Sequence, residues 1–308
     1  MRRHSDARAC LAVHRATGAT LIELTVVIVI VGILATITAS FMRVPMQTYF
    51  DLTRRAVLTD VADLAMRRLE RDISRALPNS LRVTTVGAVT YLEYLEVRTG
   101  GRYRDEPSGG ATTCGLGGKG VGYQDTLEIG FADNCFRTLG ATPSLAQIVG
   151  GSDYLVVYNL GPGYPANDAY TNGAGNGGSK ARIAGAVAGV GPNPEDRISF
   201  ANYAFPLASP GRRFHVVSTP VSYVCDPAAG TLTRRWGYAI AAVQPTAFAG
   251  GSASLLATGV SACSMVYAPS PAPQRTAVVS IMLQLSQATA GVVDQVSLMR
   301  EIHVSNVP

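Results

Sequence analysis

The stretch GATLIELTVVIVIVGILA, residues 18–35, sets one carboxylate, Glu23, at the edge of a long apolar run. From residue 24 to residue 42 the chain carries no charge, and 19 residues at about 1.5 Å each reach across a hydrocarbon core of about 30 Å. Val and Ile favour strands in water. In lipid every backbone N–H needs an internal partner, so a lone span must be a helix. Arg2, Arg3, Arg8 and Arg15 precede the run and Arg43 follows it. The positive-inside bias leaves the first 18 residues in the cytoplasm and the chain beyond Arg43 outside. A secretory signal cut near Thr38, Ala39 and Ser40 is the competing reading. The apolar run exceeds the roughly 7–15 residues of a signal core, and the helical pattern continues past it without a polar break. A discarded signal also has no use for Glu23. An ionisable group at the membrane edge costs on the order of 2–3 kcal/mol and is normally kept for a partner. An interfacial acid reaching for lipid headgroups is the alternative.

Pro45 follows the span, where it kinks the helix or marks the membrane exit. Residues 46–77 then read as an amphipathic helix. Leu58, Ala62, Ala65, Leu69, Ile73 and Ala76 recur in steps of three and four and form one apolar face. Asp51 with Arg55, Asp63 with Arg67, and Arg68 with Asp72 lie four apart, each pair worth about 0.2–0.5 kcal/mol. These arginines read as a solvated, internally neutralised face. Leu77-Pro78-Asn79 supplies the stop.

Beyond Asn79 the period changes to two. Strands are expected at residues 89–97, 126–131, 154–158, 213–218, 221–225, 231–238, 277–285 and 296–304. Asp226-Pro-Ala-Ala-Gly230 reads as a hairpin connection. The expected class is α+β, an antiparallel sheet on a helix, with residues 78–308 as the globular domain. Two glycine-rich loops, 108–122 and 161–180, interrupt it. GGKG at 117–120 and GNGGSK at 175–180 lack the spacing and the strand-to-helix setting of a phosphate loop. Asp168 offers one carboxylate toward calcium, far short of the roughly six oxygens required.

The formal charge of +5 is concentrated at the front, where four arginines face one aspartate in the first 18 residues. The remainder is close to neutral, so no nucleic-acid surface is expected. Outside Cys10 the cysteines are Cys114, Cys135, Cys225 and Cys263. They form no C-x-x-C pair and have no histidine at ligand spacing, so no metal site is expected. Four cysteines behind a membrane anchor suit two disulfides in an oxidising compartment, with free thiols as the alternative. Of the three pairings, Cys114–Cys135, closing the first loop, and Cys225–Cys263, tying the hairpin to a later strand, are favoured. No cofactor and no catalytic constellation is expected. His4 and His14 lie in the leader, while His215 and His303 fall on expected strands. Trp236 reads as a core or interface anchor.

Gly18-Ala-Thr-Leu-Ile-Glu-Leu24 with its basic leader and charge-free span resembles the processing motif of type IV prepilins and type II secretion pseudopilins. The resemblance implies a cut between Gly18 and Ala19 by a prepilin peptidase, with N-methylation of Ala19. It also implies that Glu23 pairs with the N-terminal amine of a neighbouring subunit and sets its register. The family usually carries Phe after the scissile bond, where this chain has Ala19. The implied architecture is a cleaved leader over residues 1–18 and a long helix over residues 19–77. That helix would be about 88 Å long. The runs starting at Arg43, Arg54, Ala76 and His303 are similar to the MshO-like minor pseudopilins of the mannose-sensitive haemagglutinin (MSHA) pilus. This implies a single-pass inner-membrane protein with a periplasmic C-terminal domain. Its partners would be the peptidase, other pilin subunits and the pilus assembly platform. By analogy with the J-type pseudopilin of type II secretion, it would act at the filament tip or in initiation. A membrane-anchored adhesin or binding module and a secreted enzyme cut near Ala39 remain the other classes.

Overall fold

The computed structural model describes residues 18, 20–108, 114–120, 122–192, 194–268, 276–289 and 292–308, without the side chains of residues 43–48, 289 and 292. The leader, including Cys10, His4 and His14, lies outside the described residues, as does Ala19. The chain divides into one compact unit ending at Arg54 and another spanning Arg55–Pro308. Helix α1, Leu21–Ile73, belongs to both.

In the first unit the side chains of Leu21–Met42 are exposed throughout. Three threonines lie in this apolar segment. Thr25 Oγ1 donates to the Ile22 carbonyl at 2.8 Å, Thr36 to Ile33 at 2.8 Å, and Thr38 to Leu34. Each hydroxyl is thus satisfied by its own helix, which makes it tolerable in an apolar medium. The helix is continuous through position 45, so Pro45 does not break it.

In the second unit the expected stripe is the buried face of α1. Leu58, Ala62, Ala65, Leu69, Ile73 and the following Ala76 are all buried, with Met66 beside them. The helix ends four residues before Leu77, and the ending has a clear cause. The amides of Arg75 and Ala76 bond back to the carbonyls of Asp72 and Ile73, tightening the last turn. The Leu77 amide then leaves for the Leu95 carbonyl in the sheet.

Twelve strands are described. They are β1 (Arg82–Val86), β2 (Val89–Arg102), β3 (Asp133–Arg137), β4 (Tyr154–Val157), β5 (Lys180–Val187) and β6 (Arg197–Tyr203), followed by β7 (Arg213–Asp226), β8 (Thr231–Trp236), β9 (Ser252–Thr258), β10 (Val260–Ala268), β11 (Thr276–Thr289) and β12 (Val292–Ser305). The described pairings between them are antiparallel. Nine strands form one sheet in the order β1-β2-β7-β4-β5-β6-β3, with β8 and β9 branching from β7. The other three form β10-β11-β12. The α1 stripe is buried in one core with Leu92 and Tyr94 of β2, Val221 and Tyr223 of β7, and Val279, Ile281 and Leu283 of β11.

Three sequence expectations need correction. Residues 126–131 form turns rather than a strand, and the strand begins at Asp133. The two strands expected around Pro220 are one strand, β7. Its edge partner changes there from β4, which pairs as far as Val217, to β8, which starts at Val221. Pro220 lies in the gap between them, where its missing N–H breaks no ladder bond on that edge. The third correction concerns Asp72, which is 4% exposed and not part of a solvated face. It accepts from Arg234 Nε at 2.6 Å and from the Tyr223 hydroxyl at 2.8 Å, while Arg68 reaches its other oxygen at 3.1 Å. Asp63 pairs with Arg67 at 2.6 Å. Arg54 is the partner seen for Asp51, and Arg55 pairs with Asp294 of β12 at 3.0 Å.

The 226–230 connection is the expected hairpin. Asp226 Oδ1 accepts the amides of Ala228 and Ala229 at 2.9 and 3.0 Å, and Gly230 supplies the left-handed residue at φ 67°.

Candidate functional site

Glu23 occupies the third position of α1. Thr20 caps the helix, since its Oγ1 accepts the Glu23 amide at 3.3 Å and its carbonyl accepts the Leu24 amide at 3.2 Å. Thr20-Leu-Ile-Glu23 therefore has the S/T-x-x-E spacing of a capping box. The spacing is legible in the sequence, and the amide bond to Thr20 Oγ1 shows that it caps the helix. A carboxylate in the first helical turn faces the positive end of the backbone dipole, worth about 0.3–1 kcal/mol. That offsets part of the cost of an acid beside an apolar span.

Glu23 is exposed, as are Gly18 and Thr20. A Cβ added at Gly18 would meet nothing within 4 Å. The arrangement is a fixed anion at the head of a helix whose next 19 residues, 24–42, carry no charge. Chemically it can accept hydrogen bonds and pair with a cation brought close by another helix. The scissile bond and methylation site fall on Ala19, outside the described residues.

The four cysteines are bridged as Cys114–Cys135 and Cys225–Cys263, with Cα separations of 5.4 and 6.5 Å. The second bridge joins β7 to β10 and so links the two sheets. Asp168 accepts the Tyr170 amide at 3.0 Å, and burial raises its pKa. Among the described residues no group of three or more His, Cys, Asp or Glu is placed to hold a metal ion. His215 lies on β7, where burial, with Arg213 nearby, pushes it down to about 4. His303 is exposed on β12 opposite Val278. Trp236 packs against the main core beneath the Arg234 guanidinium, 5.0 Å from its ring.

Two buried ionic groups are not legible in the sequence, because strand register and loop folding rather than helical spacing bring their partners to them. Glu93 accepts from Arg82 at 3.0 and 2.5 Å and from the Tyr238 hydroxyl at 3.0 Å. Burial raises the Glu93 pKa, and Arg82 opposes the rise. Lys180, wholly buried at the end of the second glycine-rich loop, donates to the Thr171 carbonyl at 2.5 Å. Burial lowers it to about 8.

No protein-family model matches this chain, and no curated protein or solved structure shows significant similarity to it. What stands is an apolar N-terminal helix long enough to cross a membrane, as an anchor or a signal sequence, and a β-rich antiparallel domain carrying two disulfides.

Proposed function

We propose that this chain is a minor pilin or pseudopilin subunit, anchored by residues 21–42 in the inner membrane with its β-rich domain in the periplasm. The observation that carries the reading is Glu23, a capped, exposed acid at the head of an uncovered apolar helix five residues after Gly18. Prepilin peptidase cuts between Gly18 and Ala19 and methylates Ala19. The new ammonium of one subunit then pairs with Glu23 of another, and the apolar helices exchange lipid for one another. The resemblance of the runs starting at Arg43, Arg54, Ala76 and His303 favours a filament of the MSHA type, with the chain acting in initiation or at the tip; a type II secretion pseudopilus is the related alternative. Its other partners are further pilin subunits and the assembly platform.

N-terminal sequencing of mature protein tests the first step. Ala19 or N-methyl-Ala19 is expected, whereas Ser40 or Phe41 would mean a cleaved secretory signal. The Glu23→Gln variant tests the second. It should enter the membrane normally and be depleted from sheared filaments; equal recovery of variant and wild type would refute the pairing.

A further inference from the structure

A cleft of about 770 Å³ opens on the Arg55–Pro308 unit, lined by Arg75, Glu96, Arg98, Gln147, Val149 and Ser218 among others. Its size is within the range of small-ligand sites. The sheet is irregular at this place and regular on both sides of it. The β2–β7 register shifts twice in succession, between Leu95 and Val97 and again between Val97 and Thr99. Opposite lies the β7 segment around Ser218 where β4 has ended and β8 has not begun. Such irregularities re-aim side chains next to binding sites. Here they present Glu96 and Arg98 as neighbours along the wall.

The walls are held in place. The Val97 amide donates to the Arg75 carbonyl at 3.0 Å, fixing the turn after α1. Arg98 Nη1 donates to the Gln147 carbonyl at 2.9 Å, fixing the short 3-10 helix Leu145–Gln147 against β2. Arg98 also faces buried Asp153 at 3.5 Å. Arg75 differs from Arg67, Arg68 and Arg234, which all have acidic partners. It is exposed and has no ion pair among the described residues.

We propose that this cleft binds the carboxylate of an acidic peptide side chain. Asp153 offsets Arg98, and Glu96 on the wall is offset by Arg234, 3.7 Å away, so Arg75 leaves about one positive charge for the ligand. That matches one carboxylate and disfavours a phosphate dianion. Val97, Ala146 and Val149 offer apolar contact for the aliphatic stem, and Ser218 offers a hydroxyl. The inference uses only the globular unit and is independent of the pilin reading.

The test uses full-length protein in detergent micelles and a fluorescein-labelled, C-terminally amidated peptide with one central Glu, followed by anisotropy. The Glu peptide should bind about tenfold tighter than its Gln counterpart. Arg75→Gln should weaken it about fivefold with an unchanged melting temperature, because the Arg75 side chain is exposed and has no ion pair among the described residues. Glu96→Gln should tighten it, a change of opposite sign that a folding defect does not produce. No preference for Glu over Gln, or an Arg75→Gln variant that binds like wild type, would overturn the proposal. Succinate binding as tightly as the peptide, or displacement of the peptide by equimolar phosphate, would overturn the peptide-carboxylate assignment.

Discussion

Arg234 donates to the Asp72 carboxylate at 2.6 Å, joining β8 to the last turn of α1 inside the core. Both side chains are nearly buried, and the Tyr223 hydroxyl uses the same Asp72 oxygen. Removing Asp72 strands a buried phenol and leaves the buried Arg234 guanidinium only the more distant Glu96, at 3.7 Å. Asp72→Ala should therefore lose about 3–5 kcal/mol in urea unfolding, whereas Arg67→Ala, which breaks an exposed pair, should lose under about 1 kcal/mol.

The two disulfides should differ in what they hold. Cys225–Cys263 closes 38 residues and Cys114–Cys135 closes 21, which in the chain-entropy account gives about 4 and about 3 kcal/mol. A double Cys225→Ser, Cys263→Ser variant should melt lower than the Cys114→Ser, Cys135→Ser variant. Mass mapping of non-reduced peptides checks the pairing itself; a Cys135–Cys225 peptide would contradict it.

Acid should act through His215. Its folded pKa, about 4, lies below the ordinary value of 6.5, so between these limits the unfolded chain binds more protons. The contribution of neutral His215 is present above pH 6.5 and is lost as pH falls toward 4. In His215→Gln that part of the acid loss should vanish, read as a flatter curve of urea midpoint against pH.

Lys180 gives the same sign in an alkaline window. Its folded pKa of about 8 lies below the ordinary 10.5, so stability should rise from pH 8 toward pH 10. Lys180→Met should remove the rise. The window closes from above because burial raises Tyr94, Tyr170, Tyr223 and Tyr238, and the unfolded tyrosines ionise first.

The GNGGSK segment is a packed element with no room for a Cβ at its glycines. Gly178 has φ +57°, and a Cβ there would sit 2.0 Å from the Asp168 carbonyl oxygen. Gly178→Ala should cost more than about 2 kcal/mol, measurable by thermal unfolding. An unaffected melting temperature would mean that the loop is a loose surface connection.

The α1 stripe was legible because a helix face repeats every three to four residues, and Leu58 through Ala76 kept that period. The long strands β2, β11 and β12 were legible in part from their β-branched alternation, although each runs further than expected. Strands β5, β9 and β10 were not. Ala, Ser and Gly dominate them, and they are strands because of their neighbours rather than their own propensity. Pro220 misled because a proline usually ends a strand, and only the three-dimensional switch from β4 to β8 explains its place. Around Glu23, the acid and the apolar run could be read directly. Arg75, Arg98 and Ser218 could not be grouped, since a helix exit, a double bulge and a strand junction bring them to one cleft.

The described backbone ladders leave β10-β11-β12 as a sheet of its own, joined to the larger one by packed side chains, the one-residue Gly259 connection, amide hydrogen bonds at Gly230 and Gly259, and the Cys225–Cys263 bridge. A tensile load pulling β10 away from β7 would meet the sulfur–sulfur bond before the apolar interface could slide. In a reducing medium the same load would unzip the domain at that seam, so its mechanical strength is set by redox state.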